Sequence, residues 1–85
     1  MYYKLIEQNI YKLSSNITKS FLEKNGIYVN EEESIFLTNI VKENWEDLYN
    51  NNYEDVFKLI SKELNQNKVK LLFNLYQTKI NQYLN

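Results

Sequence analysis

Apolar side chains recur every three or four residues along nearly the whole chain, which is the spacing of one face of an α-helix. Ile6, Ile10 and Leu13 begin the pattern, and Tyr76 and Ile80 continue it near the other end. The alternation typical of a strand does not extend beyond a short connector at residues 27–29. With 85 residues, the chain has room for one hydrophobic core. We therefore predict an all-α fold, a compact bundle of four or five short helices in a single domain over residues 1–85.

Polar side chains and the single glycine indicate where helices begin and end. Asn30 precedes three glutamates, so its side chain can cap a helix while Glu33 reaches back to complete a capping box. Gly26 stands where a residue of left-handed conformation would end the preceding helix. Ser14 offers a further cap, but serine interrupts helices only weakly. Residues 2–25 are therefore compatible with one helix or with two.

The last third of the chain contains two apolar stripes, over residues 53–64 and 69–84, separated by a polar link at residues 65–67. Because the link is short, we predict that the two helices pack as an antiparallel hairpin. Asn51 and Glu54 have the spacing of a second capping box, so we expect the first helix of the pair to begin between them.

Leu71 and Leu75 extend the apolar surface of the last helix beyond the stripe that contains Phe73 and Tyr76. A helix that is apolar over most of its circumference is either enclosed in a bundle or part of an interface. We expect the last helix to be central in the bundle. A homodimer that covers this surface is the alternative.

Missing residue types exclude several classes of function. The chain has no cysteine for a disulfide or thiolate site, and no histidine to act as a proton shuttle or metal ligand. It also lacks a glycine-rich phosphate loop. We therefore predict a protein that is not an enzyme and that uses no cofactor and no metal. The absence of a long apolar run and of a signal-peptide pattern predicts no membrane association and a cytoplasmic location.

Acidic residues are concentrated between residues 31 and 55, where eight acids accompany one lysine. Five of these acids lie at predicted helix starts, where the helix dipole favours negative charge. The other three flank the only tryptophan. We predict that this acidic segment binds a protein partner, with candidate residues Glu43, Trp45, Glu46, Asp47 and Tyr49. In the alternative interpretation, the acids form a solvated face and the tryptophan is a partly buried boundary residue.

Nucleic acid is the second candidate partner. Five lysines in the last two helices could follow a phosphate backbone, namely Lys58, Lys62, Lys68, Lys70 and Lys79. The first four form the candidate nucleic-acid surface. The acidic segment could instead imitate nucleic acid and inhibit an enzyme that handles it. The chain has no arginine, the residue whose side chain binds phosphate or guanine through two parallel hydrogen bonds. Its net charge is −1. We therefore rank nucleic-acid binding behind binding of a protein.

The order of these features resembles that of the YqfT-like family, small uncharacterised proteins of low-GC Gram-positive bacteria. The resemblance lies in segments Leu5–Leu13, Ile17–Asn25, NGIYVNEEE (Asn25–Glu33), DLYNNNYEDVFKLISKEL (Asp47–Leu64) and NKVKLLFNLYQTKI (Asn67–Ile80). It covers nearly the whole chain. It implies five short helices and a bacterial cytoplasmic setting, and it implies no activity, cofactor or site residue.

Overall fold

A computed structural model describes the backbone of residues 2–84 and the side chains of residues 4–82. Within these residues the chain forms five helices and no strand, so the prediction of an all-α fold is confirmed. The helices are α1 (Tyr2–Tyr11), α2 (Ser15–Lys24), α3 (Glu31–Tyr49), α4 (Glu54–Glu63) and α5 (Gln66–Leu84). The radius of gyration is 12.2 Å, close to the value of about 12 Å expected for a compact domain of this length.

The beginning of the chain forms two helices, because Ser14 starts a new one. Its Oγ accepts a hydrogen bond from the backbone N–H of Ile17 at 3.3 Å. At the other end of α2, Gly26 has a φ of 79°, and the N–H of Ile27 donates to the carbonyl of Leu22 at 2.8 Å. This is the Schellman arrangement, and it brings Ile27 and Leu22 together in the core.

Helix α3 begins with the predicted capping box. The N–H of Glu33 donates to Asn30 Oδ1 at 2.8 Å, and the N–H of Asn30 donates to Glu33 Oε1 at 3.0 Å. The helix is kinked at Asn44, which has a φ of −127° and a ψ of 16°. There the side-chain amide of Asn44 donates to the carbonyl of Ile40 at 2.9 Å and so competes with the backbone for that acceptor.

The predicted second capping box at Asn51 and Glu54 is wrong. The N-cap of α4 is Tyr53, whose side chain makes no capping hydrogen bond. Asn51 has a φ of 62° and its N–H donates to the carbonyl of Leu48, so it completes the end of α3 instead. The next asparagine cap is at Asn65, whose Oδ1 accepts from the N–H at the start of α5 at 2.9 Å.

The core lies between α2, the 27–29 connector, α3 and α4. Its buried members are Leu22, Ile27, Val29, Leu37, Ile40, Val56, Ile60 and Leu64. Helix α5 covers this cluster with partly buried side chains and joins α4 through aromatic contacts. The rings of Tyr53 and Phe73 are 5.1 Å apart between centroids, and those of Phe57 and Phe73 are 5.4 Å apart. Bundle topology and the antiparallel direction of the α4–α5 pair stay predictions.

Helix α5 is not central in the way that the sequence suggested. Leu71 remains 47% exposed, and of the described α5 side chains Ile80 alone is buried. The predicted apolar positions Tyr83 and Leu84 lie outside the described side chains. Helix α5 packs closely against α4 but not against α2, so part of its apolar surface stays uncovered.

Candidate functional site

An open apolar groove with a volume of about 490 Å³ runs between α2 and α5. Helix α2 packs closely against α3, and α5 packs closely against α4. In the described part of the chain, α2 and α5 themselves are not closely packed, so the space between them stays open. The groove is lined by Leu13, Ile17, Thr18, Phe21, Leu22, Leu37, Ile40, Val41, Leu48, Phe57, Ile60, Leu72, Leu75, Tyr76 and Lys79. We call it the α2–α5 groove.

Two large apolar side chains of α2 stand at the groove without being covered. Ile17 is 53% exposed and Phe21 is 43% exposed, and they lie one turn apart on the helix. Leu22, on the adjoining face, is buried in the core. The apolar face of α2 is therefore wider than the surface that the domain itself buries, and the excess borders the groove.

Thr18 lines the groove and is paired with Thr38 behind it. Thr18 and Thr38 are both buried, and their hydroxyl oxygens are 2.6 Å apart. Thr38 Oγ1 also lies 2.7 Å from the carbonyl oxygen of Ser34. A carbonyl oxygen can only accept a hydrogen bond, so the single hydroxyl proton of Thr38 is donated to the carbonyl of Ser34. The Thr18 hydroxyl then donates to Thr38 Oγ1. Thr18 can consequently accept a hydrogen bond from an occupant, but it has no proton to offer.

The hydroxyl proton of Tyr76 is likewise used in a hydrogen bond within the protein. Its hydroxyl donates to the carbonyl of Leu48 and lies 3.3 Å from Asn51 Oδ1. Burial raises the pKa of this phenol, and the nearby Tyr53 and Glu54 raise it further. Tyr76 is therefore a neutral phenol at neutral pH, and its proton connects α5 to the end of α3.

Lys79 is the one charged residue among the described side chains that line the groove. Its Nζ lies 5.9 Å from the centroid of the Phe21 ring, on the opposite wall. Among the described side chains, no carboxylate forms an ion pair with it. The groove thus combines an uncharged apolar interior with a single ammonium group.

The acidic segment is divided between surface and core. Glu43, Glu46 and Asp47 are exposed, Tyr49 is half-buried, and Trp45 is only 7% exposed. The tryptophan therefore packs inside the domain, and the three acids carry the surface charge. Binding of a partner by this segment stays a prediction. The described residues contain no group of three or more acidic side chains that could hold a metal ion.

One of the four lysines proposed for nucleic acid has a partner within the domain. Lys68 Nζ lies 2.7 Å from Glu33 Oε1, and both side chains are largely buried. Lys58 lies 3.9 Å from Asp55, but both of these side chains are exposed, so the contact contributes little. A phosphate backbone would have to compete with Glu33 for Lys68. Binding of nucleic acid through these lysines also stays a prediction.

Comparison with known proteins found no relative of this chain. No family model, curated protein or solved structure matches the chain. The resemblance to the YqfT-like family therefore stays a prediction. None of the helices in the described part of the chain has the length and apolar character needed to cross a membrane.

Sequence reasoning missed the groove, and it considered Lys79 only as a possible phosphate contact. Lys79 follows Leu72 and Leu75 at spacings of seven and four, so it interrupts an apolar face of α5. A lysine at such a position was the available signal. Nothing in the sequence indicated that Phe21 would be exposed, since its spacing from Ile17 and Leu22 is that of residues on a core-facing helix surface.

Proposed function

We propose that this chain is a non-enzymatic binding domain that accepts the apolar part of a ligand in the α2–α5 groove. The observation that carries the proposal is the groove itself, an opening of about 490 Å³ with walls that are almost entirely apolar. Ligand sites in proteins have volumes of roughly 300–1,000 Å³ and are lined mainly by apolar side chains with a few polar groups. Both descriptions fit this groove.

The chemistry of the walls supports binding over catalysis. The polar lining side chains are Thr18, Tyr76 and Lys79. The hydroxyl protons of Thr18 and Tyr76 are donated within the protein. The sequence contains no histidine or cysteine that could act as a base or nucleophile. Removal of apolar surface from water, at about 25 cal/mol per Å², would supply most of the binding free energy.

A neutral apolar fluorophore such as N-phenyl-1-naphthylamine tests the proposal directly. We expect saturable enhancement of its fluorescence at one site per chain. Ile17→Gln should weaken this binding about tenfold, because it removes apolar contact worth one or two methylene groups. Leu71→Gln is the matched control, since Leu71 has similar exposure but does not line the groove.

Two results would contradict a groove site. One is an absence of saturable binding, and the other is equal weakening by Ile17→Gln and Leu71→Gln. Both substitutions replace half-exposed side chains, so we expect both variants to fold, and circular dichroism checks that they do.

A second candidate function is binding of a basic protein through the acidic segment. The observation that favours it is the exposure of Glu43, Glu46 and Asp47. None of these three acids is among the described side chains that line the groove. The two candidate surfaces therefore share no described side chain and can be altered independently.

A lysine-rich peptide titrated at low and high salt tests this second candidate. Glu43→Lys with Asp47→Lys should abolish binding, whereas Ile17→Gln should leave it unchanged. Failure of the peptide to bind at low salt would remove the hypothesis of a basic partner. Its failure would leave the groove proposal untouched, because the two surfaces are probed by different ligands.

A further inference from the structure

We propose that the occupant of the α2–α5 groove is a free long-chain aliphatic carboxylate, with its hydrocarbon chain between α2 and α5 and its carboxylate at Lys79. The inference rests on the proposed function, and it adds the chemical class and the orientation of the ligand. It follows from the distribution of charge, the number of available hydrogen-bond donors and the volume of the groove.

Charge is the first argument. Within the part of the chain that the structure describes, the groove has one charged lining residue, Lys79, and its ammonium faces the ring of Phe21 at 5.9 Å. A cation–π contact at that distance is weaker than an ion pair with a carboxylate. Of the two ion pairs between described side chains, neither involves Lys79. An anionic headgroup therefore gains a partner at this point, whereas a cationic headgroup is repelled.

The supply of hydrogen-bond donors is the second argument. A carboxylate can only accept hydrogen bonds, so it requires donors. The proton of Thr18 is given to Thr38, and that of Tyr76 is given to the carbonyl of Leu48. All other lining side chains except Lys79, within the described residues 4–82, are hydrocarbon. Among these described side chains Lys79 is thus the one donor that remains for a headgroup, and this determines the orientation of the ligand.

The volume is the third argument, and it favours a small molecule over a protein. A stable protein interface buries about 800 Å² on each partner, and a large part of that surface would have to lie outside the groove. A volume of about 490 Å³ instead matches the pockets that enclose single small ligands. An unbranched hydrocarbon chain also suits walls that are almost entirely apolar, because it needs no further polar contact along its length.

The test is calorimetric titration of the full chain with three ligands of equal chain length, each kept below its micellar concentration. The ligands are dodecanoate, dodecan-1-ol and dodecyltrimethylammonium. We expect dodecanoate to bind at one site, about tenfold more tightly than the alcohol, since a charge-assisted hydrogen bond at a half-buried site is worth about one power of ten. The cationic ligand should bind least tightly.

Lys79→Met isolates the headgroup contact, because methionine keeps an apolar stem of similar length and removes the charge. This variant should bind dodecanoate about tenfold more weakly and should bind dodecan-1-ol with unchanged affinity. Lys62→Met is the matched control, since Lys62 is exposed on α4 and does not line the groove. It removes the same net charge and should affect neither ligand.

Equal affinity for dodecanoate and dodecan-1-ol in the unaltered chain would overturn the carboxylate assignment without requiring any variant. The groove proposal would survive that result, because the alcohol would still bind. If neither ligand nor the neutral fluorophore binds, the proposed function fails as well. Sedimentation that shows a dimer dissociated by Ile17→Gln but not by Leu71→Gln would assign the groove to a second copy of the chain and overturn the inference.

Discussion

Lys68 donates to Glu33 across 2.7 Å and so connects the first turn of α5 to the first turn of α3. The same carboxylate accepts the N–H of Asn30 at 3.0 Å, which completes the capping box of α3. One side chain therefore supports both a helix start and a contact between distant helices. The hydrogen bond from Lys68 lowers the pKa of Glu33, and the N–H of Asn30 lowers it further.

We predict that Glu33→Gln destabilises the domain by about 1–2 kcal/mol at pH 7. A hydrogen bond to a charged group is worth about 1.5–3 kcal/mol, and partial exposure of this pair to solvent reduces its contribution. Glutamine can still accept from the N–H of Asn30, so the substitution removes the ion pair and keeps the cap. Because the folded-state pKa of Glu33 is lowered, its contribution to stability is present above the ordinary pKa of 4.5 and is lost as pH falls through the folded-state value. Urea unfolding at pH 7 and pH 3 measures both effects.

The control for this prediction is Glu32→Gln, in the same turn of α3 but exposed. It should change stability by less than about 0.5 kcal/mol at either pH. If Glu33→Gln and the unaltered chain lose equal stability between pH 7 and pH 3, the ion pair does not contribute to the acid sensitivity of the domain.

The threonine pair should respond unequally to the loss of either hydroxyl. Thr38→Val removes the donor to Ser34 and leaves the buried Thr18 hydroxyl without its acceptor, so we expect a loss of about 2 kcal/mol. Thr18→Val leaves the Thr38 donor satisfied by Ser34, so the loss should be about 0.5–1 kcal/mol. Thermal unfolding of the two variants, compared with the double variant, measures the difference. Equal losses would mean that the protons are arranged in the opposite direction.

Gly26→Ala should cost about 1 kcal/mol through the backbone alone. The φ of 79° at this position disfavours a residue with a Cβ, and an added Cβ would have no heavy atom within 4 Å. Gly26→Asn is the comparison, since asparagine tolerates the left-handed region better than alanine does. We expect it to recover part of the loss in urea unfolding. If alanine were as stable as glycine, the Schellman turn would have to adopt another conformation in solution.

Trp45→Ala should be the most damaging single change in the acidic segment. A buried tryptophan replaced by alanine costs about 3–5 kcal/mol, and the total stability of a domain of this size is only about 4–13 kcal/mol. Tyr11→Ala, at a side chain that is 70% exposed, should cost less than about 0.5 kcal/mol. Circular dichroism during thermal unfolding measures both. Tests of partner binding at this surface should therefore alter Glu43 or Asp47 and leave Trp45 in place.

Features that depend only on residues close together in the sequence were predictable from it. The cap at Asn30 requires only the residue three positions later, and the helix end at Gly26 requires only the absence of a Cβ. The same reasoning failed at Asn51, because an asparagine between two helices can end the first or begin the second. Its left-handed φ of 62° assigns it to the end of α3, and that choice depends on how α4 packs.

The groove was beyond such reasoning for a physical reason. Thr18 and Lys79 lie near opposite ends of the chain and line the same space only because α2 and α5 pack against different neighbours. Periodicity identifies an apolar face, but it does not indicate whether another helix covers that face. Ile17 and Phe21 have the spacing of core residues and are nonetheless exposed.

The kink at Asn44 divides the wall that α3 contributes to the groove. Leu37, Ile40 and Val41 precede it, and Leu48 follows it. The first part of α3 is joined to α2 by the threonine pair, while the end of α3 is joined to α5 through Tyr76. The groove is thus bordered by α2 and α5, two helices that do not pack closely against each other. A molecule lying there would act as a noncovalent cross-link between them, so the occupied protein should resist unfolding more strongly than the empty one.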